Sequence, residues 1–126
     1  MGELVFRALS QQVLGACFSV HNVLGPGLLE SAYEGALVIE FGHRDIPVER
    51  QKVYPVYYKG ELAEAYIADM VAAGKLILEL KSVQTLNRVM EAQILNYLRL
   101  SGVPVGYLIN FHGMRVEWKR FVLGRE

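Results

Sequence analysis

Asp69, Glu79 and Lys81 are the residues in this chain whose types and spacing could do chemistry. Glu79 and Lys81 stand in a leucine-rich run at 75–83, where Leu76, Leu78 and Leu80 alternate with Ile77, Glu79 and Lys81. Side chains on a strand alternate faces, so Glu79 and Lys81 point the same way, with Cα atoms roughly 6.6 Å apart. Asp69 lies in a preceding strand-like segment, 66–71, joined to the leucine run by Ala72, Ala73 and Gly74. If Asp69 faces Glu79, then Val71 faces Ile77 and the loop is Ala73-Gly74-Lys75, a common three-residue hairpin length. A slip of one residue would send Asp69 to the other face. Two carboxylates opposed in this way repel unless positive charge lies between them. A divalent cation and the Lys81 ammonium would supply it, which makes a metal site. The plainer reading is a solvated face carrying a weak ion pair.

The surrounding elements must position this trio. Residues 3–24 carry Leu9, Val13, Ala16 and Val20 at helical spacing, with Leu4, Cys17 and Leu24 widening the stripe. His21, near the end of that helix, suits the helix dipole and a structural role better than metal binding; His43 and His112 form no ligand spacing with it. Gly25-Pro26-Gly27 breaks the helix, and a second begins near Leu28 or Leu29 and runs to about His43. Glu30 falls in its first turn, where a carboxylate gains from the dipole with or without a part in the site. Residues 47–58 and 61–71 read as strands joined at Lys59-Gly60, with Pro55 marking an edge or a bulge. With the leucine run they make a three-strand meander.

Thr85 or Asn87 caps the next helix, which ends at Ser101-Gly102. Met90, Ile94, Tyr97 and Leu98 form its core stripe, with Val89, Gln93, Tyr97 and Leu100 beside it. Gln93 and Tyr97 are neighbours at i and i+4. A buried glutamine there needs a partner, because an unpaired amide costs about 1–3 kcal/mol; at the boundary, water would serve. Residues 103–111, apolar apart from Asn110, predict an interior strand parallel to the leucine run, and 114–123 a last strand.

With 126 residues, 52% of them hydrophobic, the chain suits one domain spanning 1–126 with one core. Cys17, the single cysteine, excludes an internal disulfide and reads as a buried inert thiol. No apolar run approaches membrane-spanning length and residues 1–7 lack a secretory signal, so the expected location is the cytoplasm, away from membrane. Thirteen basic residues balance thirteen acidic ones, which weakens broad electrostatic binding to nucleic acid without excluding a nuclease. The basic cluster Arg115, Lys119, Arg120 and Arg125 reads as solvated surface.

Asp69, then Glu79-x-Lys81, then Gln93-x-x-x-Tyr97 in this order of elements resembles the PD-(D/E)XK nuclease superfamily. Residues 27–33, GLLESAY, together with EAQILNYLRL at 91–100 and GYLINF at 106–111, resemble its GxxExxY family. Ala68 stands where the superfamily often has proline. The resemblance implies a restriction-endonuclease-like α/β fold, with a mixed α+β sheet, and a metal-dependent nuclease. It makes Asp69 and Glu79 ligands of Mg²⁺ or Mn²⁺, with the Leu80 carbonyl a third and Glu30 an accessory carboxylate reaching the metal through water. Lys81 would orient or activate the attacking water, Gln93 would position the nucleophile or a phosphate oxygen, and Tyr97 would support it. The implied substrate is nucleic acid, DNA before RNA, cut endo- or exonucleolytically; a homodimer would widen the contact surface. The alternative is a non-catalytic nucleic-acid- or protein-interaction domain on a nuclease fold.

Overall fold

A computed structural model of the protein describes residues 5–124. Helix α1 (Arg7–Leu24) buries Val13, Ala16, Cys17 and Val20 along one stripe. It starts four residues later than the periodicity suggests, because Phe6 adopts a left-handed backbone (φ 55) that no helix continues. Positions 3 and 4, where the helical stripe was expected to begin, lie outside the described residues, as does Arg125. Gly25, at φ 74, ends α1 and donates its N–H to the His21 carbonyl at 2.8 Å. Helix α2 (Glu30–His43) buries Tyr33, Leu37 and Phe41, spaced four apart on one face.

Strands β1 (Val48–Tyr58), β2 (Glu61–Ala72) and β3 (Leu76–Lys81) form the expected antiparallel meander. Helix α3 (Arg88–Ser101) then crosses over to β4 (Val105–Asn110), which lies parallel to β3, and β5 (Glu117–Val122) returns antiparallel. The sheet order is β1-β2-β3-β4-β5. Pro55 sits on the edge strand β1, one residue before a register shift at Val56/Tyr57, so both readings of that proline hold. Asn87 caps α3, its side chain accepting the Met90 N–H at 3.0 Å.

Helices cover both faces. On one, α1 and α2 pack against Met70, Leu76, Leu78, Leu80, Tyr107 and Ile109. On the other, Tyr97 and Leu98 of α3 pack against Val71, Ile77 and Val103. β3 and β4, covered on both sides, are the most buried strands, as continuous apolar runs require. Gly106 lets α3 come close: a Cβ there would meet Ile94 Cδ1 at 3.0 Å and Leu98 Cδ2 at 3.1 Å. The second α3 stripe is corrected. Val89 and Leu100 are exposed, Gln93 is exposed, and only Tyr97 of that set is buried. The Gln93 amide therefore meets water and needs no buried partner.

Candidate active site

The β2–β3 hairpin turns through left-handed Ala73 (φ 51) and Gly74 (φ 65), with the Lys75 N–H bonded to the Ala72 carbonyl at 2.9 Å. Its register pairs Ala72 with Leu76, Val71 with Ile77 and Met70 with Leu78. Val71 and Ile77 face α3, so alternation carries Asp69, Glu79 and Lys81 onto that same face. The one-residue slip has not occurred.

Beyond Met70 and Leu78 the ladder stops and the two strands part. Carboxylates take over where backbone pairing ends. The Asp69 N–H donates to Glu79 Oε1 at 3.2 Å, and the Leu80 N–H donates to Asp69 Oδ2 at 2.8 Å. On the other side of β2 the β1 rung opposite Asp69 is also missing, where Gln51 is left-handed at φ 49. Strained backbone of this kind gathers at functional sites.

Glu79 is 7% exposed, and burial first, then the charge of Asp69, push its pKa up to about 9. Burial also raises the pKa of Asp69, as does Glu34, while the Leu80 N–H, the Glu79 hydrogen bond and Lys81 pull it down. Tyr97, buried above the pair, meets Tyr66 edge-on at 5.3 Å between ring centroids. Burial and then Glu79 and Asp69 drive its phenol up to about 12, so it stays a neutral hydrogen-bonding group. The site is a desolvated acidic pair with Lys81 next along β3.

Glu30 stands apart from the pair. It opens α2, and its Oε2 accepts the Ser82 N–H at 3.1 Å, just past Lys81. Among the described residues no three His, Cys, Asp or Glu side chains converge closely enough to hold an ion, so Glu30 does not close a set with Asp69 and Glu79. Gln93 is exposed one turn before Tyr97 on α3.

Sequence reasoning missed Glu34. One turn after Glu30, it accepts hydrogen bonds from Arg50 and Gln51, each at 3.0 Å, and acts electrostatically on Asp69. No local spacing links residues 34, 50 and 69. Tyr33 belongs to the apolar face of the second helix and to the GLLESAY motif, but its polar role is set by the fold: its hydroxyl donates to the Gly25 carbonyl at 2.6 Å and accepts the Leu28 N–H at 3.1 Å. Its ring stacks on Phe111 at 4.5 Å.

Other expectations resolve simply. His21 is buried and its Nε2 donates to the Gly113 carbonyl at 2.9 Å, a structural role. Cys17 is fully buried, and burial pushes its pKa up to about 12. Arg120 is not solvated surface: it bonds Ser10 Oγ, the Tyr107 hydroxyl and the Val5 carbonyl, tying β5 to α1. Lys119 pairs with Glu91 of α3 at 2.6 Å. No helix among the described residues is long and apolar enough to cross a membrane.

Among the described residues a mixed five-stranded sheet flanked by three helices, with an acidic pair and a lysine where its central hairpin opens, defines a restriction-endonuclease-like α+β protein. The chain belongs to the PD-(D/E)XK nuclease superfamily, whose family model matches residues 7–121. Divalent metal and nucleic acid are what proteins of that superfamily generally use. The crystal structure of SSO0001 is similar at a TM-score of 0.48 and 19% identity, over 76% of this chain and 53% of that one. The chain thus spans about half the length of that structure. No curated protein matches the chain.

Proposed function

We propose that the protein is a metal-dependent phosphodiesterase that hydrolyses DNA, with Asp69 and Glu79 holding Mg²⁺ or Mn²⁺ and Lys81 at the attacking water. The observation that carries this reading is the carboxylate pair itself. Burial raises the proton affinity of both acids and Asp69 raises that of Glu79 further, while the backbone N–H groups of Asp69 and Leu80 hold the two facing in a desolvated fork. A hard cation suits that donor set, because Mg²⁺ takes oxygen ligands and keeps several waters. The Leu80 N–H points toward β2, and a strand residue turns its C=O to the same edge, which supports its carbonyl as a third ligand. Glu30 stays outside this set, its carboxylate engaged by the Ser82 N–H.

Asp69 and Glu79 would hold a divalent cation there, and the chemistry it would supply is polarisation of the phosphoryl group and a more acidic water. Lys81 presents a compact ammonium on the same face, suited to orienting the attacking water and offsetting charge on the phosphate. Tyr97, neutral and buried beside the carboxylates, excludes water from the pair and offers a hydroxyl. Gln93, solvated one turn away, would meet a phosphate oxygen of an arriving strand. The turn entering α2 supports membership of the GxxExxY group. Gly27 takes φ 86, which favours glycine, Glu30 bonds to Ser82, and Tyr33 fastens Gly25 to Leu28.

The test is cleavage of plasmid, linear and branched DNA with Mg²⁺ or Mn²⁺. Asp69→Ala and Lys81→Ala should each lose activity by about 10²–10⁴-fold or more. Cleavage unaffected by both substitutions rejects the site. No cleavage together with no metal binding by calorimetry assigns a non-catalytic binding domain instead, the reading that the balanced charge favours. RNA substrates in parallel decide the nucleic acid, and size-exclusion chromatography decides whether a homodimer is the working unit.

A further inference from the structure

We propose that Glu30 and Asn110 are positioning residues that fix Lys81 by clamping the backbone immediately after it. The inference rests on Lys81 acting at the reacting water.

Lys81 is the last residue of β3, where a strand would ordinarily fray. Here the end of β4 and the start of α2 hold the exit. Asn110 pairs with Lys81 across the β3–β4 ladder, is 1% exposed and is the polar residue in an otherwise apolar strand. Its Oδ1 accepts the N–H groups of Val83 at 3.1 Å and His112 at 3.2 Å, and its Nδ2 donates to the Val83 carbonyl at 2.8 Å. From α2, Glu30 Oε2 accepts the Ser82 N–H at 3.1 Å, while Ser82 Oγ donates to the Leu28 carbonyl at 2.7 Å. The Lys81 carbonyl itself accepts the Phe111 N–H at 2.9 Å. Residues 81, 82 and 83 are therefore each fastened, and from different sides.

A buried asparagine is costly to an apolar strand unless all of it is bonded, and an aliphatic residue would fill the place as well. What the amide adds is direction. The lysine side chain is long and flexible, so its ammonium is aimed only as well as its Cα–Cβ bond is fixed. A misplacement of about 1 Å at a reacting group can cost about 10²-fold in rate. The Ser82 N–H needs only an acceptor, so the charge of Glu30 is dispensable to this task and its oxygen is not.

The experiment measures kcat, KM and Mn²⁺ affinity for DNA cleavage by wild type, Asn110→Ala, Glu30→Ala and Glu30→Gln. Both alanine variants should lower kcat by about 10- to 100-fold, the usual loss on removing a residue that orients a site group. KM and the calorimetric Mn²⁺ affinity should stay within about threefold, because the substrate surface and the carboxylate pair are untouched. Glu30→Gln should retain wild-type kcat within about threefold, since its amide oxygen still accepts the Ser82 N–H. Amide exchange gives a second readout: Glu30→Ala should speed exchange at Val83, and Asn110→Ala at Ser82, because each clamp steadies the other's residue. Glu30 is exposed, so its variants leave the core intact and carry the test even if Asn110→Ala does not fold.

Glu30→Gln as inactive as Glu30→Ala would show that the charge acts directly and would overturn the clamp. Unchanged kcat in the alanine variants would do the same. If those variants are fully active while Lys81→Ala is dead, the clamp alone fails. If Lys81→Ala is itself active, the nuclease reading fails first.

Discussion

Glu79 carries the electrostatic logic of the site. A carboxyl whose folded pKa lies above its unfolded value binds its proton more tightly in the native state. Glu79 therefore costs the fold nothing below its ordinary pKa of 4.5 and destabilises it progressively as pH climbs toward 9. Without metal, Glu79→Gln should be more stable than wild type by about 1–3 kcal/mol at pH 8, with the gain fading by pH 5; thermal melts across that range measure it. A cation must displace the proton, so metal binding should release protons and tighten as pH rises from 6 to 9. Calorimetry in two buffers of different ionisation enthalpy counts those protons, and a pH-independent affinity would contradict the assignment of Glu79 as a ligand. The pattern Glu-x-Lys made this pair visible in the sequence because strand alternation is set by each residue's own backbone. Glu34 was not visible, since its action on Asp69 exists only once α2 lies against the sheet.

The elements explain why the pair is where it is. β2 is long and β3 short, and only three rungs join them before the carboxylates replace the ladder. The register was legible because burying Val71 and Ile77 under α3 fixes which residues face which way. The opening of the hairpin was not, because nothing in an alternating pattern says where pairing ends. Helix α3 brings Tyr97 over the pair through its close approach at Gly106. Gly106→Ala should push the helix outward, costing about 1–3 kcal/mol of stability by urea denaturation and lowering activity through Tyr97. The exposed Val89 and Leu100 show the limit of periodicity on α3: apolar spacing marked a second stripe, but the helix buries only Ile94, Tyr97 and Leu98.

The described residues form one sheet clothed on two faces, and their periphery is tied by long-range polar contacts. Arg120 reaches from β5 to Ser10, Tyr107 and the Val5 carbonyl. Arg120→Ala should destabilise the fold by about 1–3 kcal/mol, the cost of leaving such partners unsatisfied, while kcat at low temperature stays within about twofold because the tie is on the α1 side. A chemical denaturation curve beside a cleavage assay separates the two effects. The amino-acid sequence by itself determined the order of elements, the meander and the shared face of Glu79 and Lys81, and it allowed the parallel β3–β4 pair and the register that brings Asp69 onto that face. Those follow from alternation, caps and turn residues, which act between near neighbours in the chain. Only the tertiary structure decided that Glu30 meets Ser82, that Asn110 grips Val83, that Glu34 bears on Asp69 and that Gln93 is left to solvent. Such contacts join residues far apart along the chain, and no period records them, because they arise when packed faces bring otherwise unrelated side chains within hydrogen-bonding reach.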